Sequence, residues 1–151
     1  MAVTQSPLNW VEIHYYNAVR EPIRRTSVRI TGSGTGEAHT GTTRLVADSF
    51  AKDFEDAAWE DVRSRRFGVD PGHVQQTFQD LVNAGLFDRD KVGRKTKHPS
   101  NGRFLAVRAA LDNKTYSEPV NLFEDDPELA ERLFNVVLEF NRPVLGRAKA
   151  K

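Results

Sequence analysis

The chain has 151 residues, 38% hydrophobic and 28% charged, with 22 basic against 21 acidic side chains and a formal net charge of +1. A chain of this length buries roughly 70% of the surface it would expose unfolded, so one compact domain is expected. Its apolar content excludes a wholly disordered chain, and its lack of cysteine excludes a disulfide framework, a thiolate metal site and a cysteine nucleophile.

Residues 10–19 alternate Val11, Ile13 and Tyr15 against Glu12, His14 and Tyr16, the period of a strand, before Glu21-Pro22 interrupts. Residues 25–31 form a second extended run, with Val28 and Ile30 facing inward and Arg29 outward. It closes at Gly32-Ser33-Gly34-Thr35-Gly36, because glycine reaches the positive φ of a tight reversal without steric cost. The threonine-rich residues 37–46 suit an edge or half-exposed strand. In residues 48–67, Phe50, Phe54, Ala57, Ala58 and Val62 recur at helical spacing behind Asp48 or Ser49 as N-cap, so a helix is expected.

Asp70-Pro71 signals a second helix, since an aspartate cap accepts orphan amides and proline at the first position loses no hydrogen bond. Val74, Phe78, Leu81 and Val82 form its apolar stripe and Gly85 its stop. Residues 88–102 lack apolar periodicity and read as a long loop. Residues 103–112 alternate again through Leu105, Val107, Ala109 and Leu111, turn at Asp112-Asn113-Lys114, and return as a partner strand over 115–123. Asp126-Pro127 then opens a last helix, with Leu129, Ala130, Leu133, Val137 and Phe140 on one stripe down to Asn141, before Pro143.

This order implies an α+β fold: an antiparallel sheet of four to five strands covered on one face by two or three helices. The expected organisation is a flexible N-terminus over 1–9, a single domain over 10–142 and a basic C-terminal tail over 143–151. No apolar run is long enough to span a bilayer and no signal peptide opens the chain, so no membrane association and a cytoplasmic location are expected by default.

The near-neutral total conceals segregation. Residues 88–115 carry an excess of five positive charges and residues 116–141 an excess of six negative ones. The acidic run Glu124-Asp125-Asp126-Pro127-Glu128 fits a helix N-terminus, where negative charge complements the macrodipole. The basic stretch 89–98 has no such local reason. It suits a solvated loop, an acidic protein partner or nucleic acid, although it lacks interleaved aromatics on which bases could stack.

No assembled chemical motif appears. The Gly32–Gly36 run precedes poor helix formers and lacks the last glycine of a dinucleotide fingerprint, so it reads as a hairpin tip. The single histidines His14, His39, His73 and His98 have no metal-ligand spacing, no serine sits in a nucleophile elbow, and no cofactor is implied. His14 with Tyr16 and an acid is the one combination from which a catalytic site could assemble in space. Trp59, off the apolar stripe of the expected helix, would mark an interface if exposed.

The opening strands with their glycine turn, the helix ending Leu81-Val82-Asn83-Ala84-Gly85-Leu86-Phe87, the late hairpin and the final helix together resemble emfourin-like small bacterial modules. That family includes proteinaceous inhibitors of thermolysin-type metalloproteases and relatives of unassigned function. The resemblance implies a small α+β fold and a protease-inhibitor type of activity, and it assigns no inhibitory residue.

The sequence thus points to a non-enzymatic macromolecule-binding domain with a protein partner, of inhibitor or adaptor type. Lys91, Arg94, Lys95 and Lys97, with the hairpin tip Ser33, Gly34, Thr35 and Gly36, are the expected contact surface. The alternatives are a nucleic-acid-associated protein using loop 89–98 with Arg63, Arg65 and Arg66, and an enzyme whose site is not visible in sequence.

Overall fold

A computed structural model of the chain describes residues 2–43, 59–88, 101–117 and 121–149, with the backbone alone over 142–149. Strands β1 (Trp10–Asn17), β2 (Ile23–Thr31) and β3 (Thr35–Thr43) form the expected meander. They are followed by β4 (Asp61–Gly68), helix α1 (Pro71–Asn83) and the hairpin β5 (Arg103–Leu111) and β6 (Lys114–Ser117). A single helical turn, α2 (Leu122–Asp125), leads into the long helix α3 (Pro127–Lys149). The strands form one sheet in the order β4-β3-β2-β1-β5-β6, antiparallel at every pairing.

Alternation and register together build the core. Val107, Ile13, Val28 and Ala38 lie directly opposite one another on β5, β1, β2 and β3, and all are buried. They share one core with Val74, Phe78 and Leu81 of α1 and Leu129, Leu133 and Val137 of α3. Each such large apolar side chain contributes about 1.5–3 kcal/mol by leaving water.

The ends of α1 follow from local chemistry. The Asp70 carboxylate accepts from the His73 amide at 3.3 Å, and Pro71 occupies the first helical position. At the other end Gly85 adopts a φ of 97°, its amide donates to the Val82 carbonyl, and the Leu86 amide donates to the Leu81 carbonyl. This is a Schellman stop with the hydrophobic residue after the glycine fully buried. The residues Ala84-Gly85-Leu86-Phe87, on which the family resemblance mainly rests, therefore have a capping role.

The structure departs from the sequence expectations at four places. The described sheet has six strands rather than four or five, because residues 61–68 form the edge strand β4 instead of continuing a helix. Residues 44–58, which carry the rest of that expected helix, lie outside the described residues. The return strand of the last hairpin ends at Ser117, and Leu122 and Phe123 belong to α2, capped by Asn121. The Asn121 side chain accepts from the Leu105 and Phe123 amides and donates to the Arg103 carbonyl, so it replaces a strand partner at the start of β5. Helix α3 does not stop before Pro143 but runs on to Lys149.

The N-terminal segment, expected to be flexible, packs onto the domain. Val3 is buried and its amide donates to Gln79, while the Thr4 amide donates to Asp112 at 2.7 Å. Buried Asn9 joins this segment to both sides, donating to the Thr4 carbonyl and accepting from the Asp112 amide.

Candidate functional site

The face of the sheet opposite the helix core carries Glu12, His14 and Tyr16 of β1, and the cross-strand register turns their neighbours into a charge ladder. Arg66, Glu37, Arg29, Glu12 and Arg108 lie in one row across β4, β3, β2, β1 and β5. Signs alternate along the row, and opposite charges in directly facing positions contribute roughly 0.2–1 kcal/mol per pair. Arg29 donates to Glu12 at 3.0 Å, and the exposed Arg66 lies 3.6 Å from Glu37.

Beside this row His14 and Arg25 are buried. His14 Nε2 is 2.6 Å from the other Glu12 oxygen, and His14 Nδ1 is 3.2 Å from Arg25 Nη2. A guanidinium can only donate, so Nδ1 accepts and Nε2–H donates to the carboxylate. The His14 ring thereby links Glu12 of its own strand to Arg25 of β2. Burial by itself would raise the pKa of Glu12, but the hydrogen bonds of His14 and Arg29 and the charge of Arg29 outweigh it and hold the carboxyl below its ordinary value. Arg25, only 1% exposed, is stacked between two rings, with its guanidinium carbon 4.1 Å from the centre of Trp59 and 5.3 Å from that of Tyr16. Burial lowers the pKa of this guanidinium, while Tyr16 and Glu12 act in the opposite direction. A cavity of about 400 Å³ lies over this cluster, between His14, Arg25, His39 and Trp59. His14 and Trp59, single residues in the sequence, are thus gathered at one concave site.

Strand β4 borders this cavity through Val62 and Ser64, and it borders two more. One, of about 580 Å³, lies by Arg66 and Phe67 near the hairpin tip. The other, of about 720 Å³, opens on the opposite side of the sheet between Arg63, Arg65 and α3. Among the described residues β4 pairs with β3 alone. The Val69 amide donates to the opposing Gly34 carbonyl at 2.7 Å. Because amides alternate sides along an antiparallel strand, those of Ser64, Arg66 and Gly68 face away from β3. The side chains alternate too: Arg63 and Arg65 oppose Thr40 and Ala38 toward the helices, and Arg66 opposes Glu37 on the ladder face.

Of the expected contact residues, Ser33 and Thr35 are exposed at the β2–β3 turn and Gly34 and Gly36 are buried beneath it. The tip is tied down: the Thr31 hydroxyl bonds both the Ser33 and Thr35 hydroxyls, and Gly34 approaches the Val69 carbonyl and Pro71. Lys91, Arg94, Lys95 and Lys97 lie outside the described residues. Arg63, Arg65 and Arg66, which the sequence attaches to the nucleic-acid alternative, fall together on the β4 edge.

Neither the ladder nor the edge is legible in the sequence. Arg25, Arg29 and Glu37 were readable as outward positions of strands, but only the register sets them opposite Tyr16, Glu12 and Arg66. Among the described residues no group of three or more potential ligands could hold a metal ion, and no helix is long and apolar enough to cross a membrane. No protein-family model matches the chain, and no curated protein matches it.

Proposed function

We propose that the chain is a protein-binding domain of adaptor or inhibitor type, and that its β4 edge receives an extended acidic segment of the partner. One observation carries this reading. The eight-residue strand β4 has a single strand partner among the described residues, presents Arg63, Arg65 and Arg66, and borders three cavities. An added strand would take main-chain hydrogen bonds from the outward amides, and its alternating side chains would reach Arg63 and Arg65 on one side and Arg66 on the other. Arginine suits such recognition, since its planar fork matches a carboxylate in two parallel hydrogen bonds. The ladder and the buried Glu12–His14–Arg25 cluster hold the strands in register behind the edge.

The same arginines would also blunt a bare edge against aggregation, and binding separates the two roles. A labelled peptide of alternating glutamate and threonine, its glutamine counterpart and a single-stranded oligonucleotide are titrated into the full chain by fluorescence anisotropy. The acidic peptide should bind, and a variant with Arg63, Arg65 and Arg66 all changed to threonine should lose at least about tenfold in affinity. Equal binding of acidic and glutamine peptides, or an unaffected triple variant, would leave the arginines as edge protection. Tighter, steeply salt-dependent oligonucleotide binding would favour nucleic acid instead.

A further inference from the structure

The cavity of about 720 Å³ on the helix side of the sheet has the size of a small-molecule site. From β1 to β4 one row of facing residues is Tyr15, Thr26, Thr40 and Arg63. The cavity lies between this row and Phe134, Val137 and Leu138 of helix α3. The walls are graded. Ala38 and Val137 at the floor are 3% and 2% exposed, and Leu138 at the mouth is 42% exposed.

The polar residues of the lining have one electrical sign. Arg63 and Arg65 contribute two guanidinium groups, and among the described residues the lining contains no carboxylate. Arg65 Nη1 is buried with no hydrogen-bond partner among the described residues. A buried donor left without an acceptor is costly, and costlier when it is charged. Thr26 and Thr40 on the sheet and Asn141 on α3 add neutral hydrogen-bonding groups to the lining.

We infer that this cavity binds a small amphipathic anion of the fatty-acid type, with its apolar chain against Phe134, Val137 and Leu138 and its carboxylate at Arg65 and Arg63. The apolar wall accounts for the chain, and two guanidinium groups in a lining free of carboxylates among the described residues account for the head group. This inference shares Arg63 and Arg65 with the β4-edge reading but does not rest on it. It concerns the helix-facing side of the strand and a soluble ligand rather than the outward amides and a peptide, and Leu138→Glu touches the cavity alone.

The test is a calorimetric titration of the full chain with monomeric dodecanoate, alongside dodecanol and dodecyltrimethylammonium. Dodecanoate should bind at one equivalent, and the neutral and cationic analogues at least about tenfold more weakly. Arg65→Gln should weaken dodecanoate by about tenfold or more. Arg63→Gln, at an exposed strand position, should weaken it in the same direction and guards against a folding defect in the first variant. Leu138→Glu, which places a carboxylate at the mouth, should weaken dodecanoate and spare dodecanol. No binding, equal affinity for dodecanoate and dodecanol, or full affinity in both arginine variants would overturn the inference. Sedimentation with phosphatidylglycerol vesicles separates the two sources of such a ligand: association with vesicles but no binding of monomeric dodecanoate would assign the arginines to a lipid surface and overturn the cavity site.

Discussion

Gly41 of β3 sits so close to the edge strand that a single methyl group should dislodge it. A Cβ built at this position lies 1.7 Å from the Asp61 carbonyl oxygen, 2.7 Å from its carbon and 3.0 Å from Val62 Cα. Ordinary non-bonded contact needs about 3.5 Å, so the start of β4 would have to retreat by roughly 1.5–2 Å. A retreat of that size breaks about two ladder hydrogen bonds, each contributing about 1 kcal/mol net, and adds the strain of an overpacked contact. Gly41→Ala should therefore cost about 3 kcal/mol, and in a domain of this size lower the melting temperature by about 9 °C. Gly68→Ala is the control on the same edge strand, because a Cβ there meets nothing within 4 Å. It should stay within about 0.5 kcal/mol of the parent. Denaturant unfolding measures both variants, and acidic-peptide binding should fall with β4 displacement in Gly41→Ala alone. A Gly41→Ala variant as stable as Gly68→Ala would refute the close β3–β4 approach.

The buried network makes an acid-side prediction. Glu12 has a lowered pKa in the folded chain, so its ionised form contributes stability above its unfolded value, and that contribution is lost as pH falls below the ordinary 4.5. Thermal unfolding followed from neutral to acidic pH should show this loss, and Glu12→Gln should be less stable by about 2 kcal/mol at neutral pH with a flatter acid limb. An unchanged acid limb in Glu12→Gln would remove the carboxylate from the account. Trp59→Ala removes the ring stacked over Arg25 and should cost about 1–2 kcal/mol by denaturant unfolding; a neutral result would mean that the stack is incidental. Gly85→Ala forces a side chain into a φ of 97° at the Schellman stop and should cost about 1 kcal/mol without altering the pH profile.

Much of the fold was legible because two periodicities carry it. The alternation in β1, β2 and β5 separates core residues from Glu12, His14 and Arg29, and the Asp-Pro pairs mark the starts of α1 and α3. Strand β4 was not legible, since Val62-Arg63-Ser64-Arg65-Arg66-Phe67 shows no apolar alternation. An edge strand whose faces carry arginines needs none, and Val62 fell on the helical stripe of the residues before it. The end of the last hairpin was misread for a related reason. Leu122 and Phe123 are as apolar as strand residues, and only the hydrogen bonds of Asn121 show that the chain has turned into α2. The candidate site was half legible: His14, Tyr16 and Trp59 could be singled out, but their meeting with Arg25 depends on a β1–β2 register that sequence alone leaves open. The hairpin turn is legible from its glycines, although Thr35 and Gly36 already belong to β3, and its attachment to Val69 and Pro71 depends on β4 lying beside it.

Amide hydrogen exchange on the full chain, with and without the acidic peptide, tests the edge-binding claim most directly. The account predicts added protection at the outward amides of Ser64, Arg66 and Gly68, with the inward amides of Arg63 and Arg65 changing little because the β3 ladder already holds them. Protection that left β4 unchanged, or that fell on the β6 edge, would contradict it.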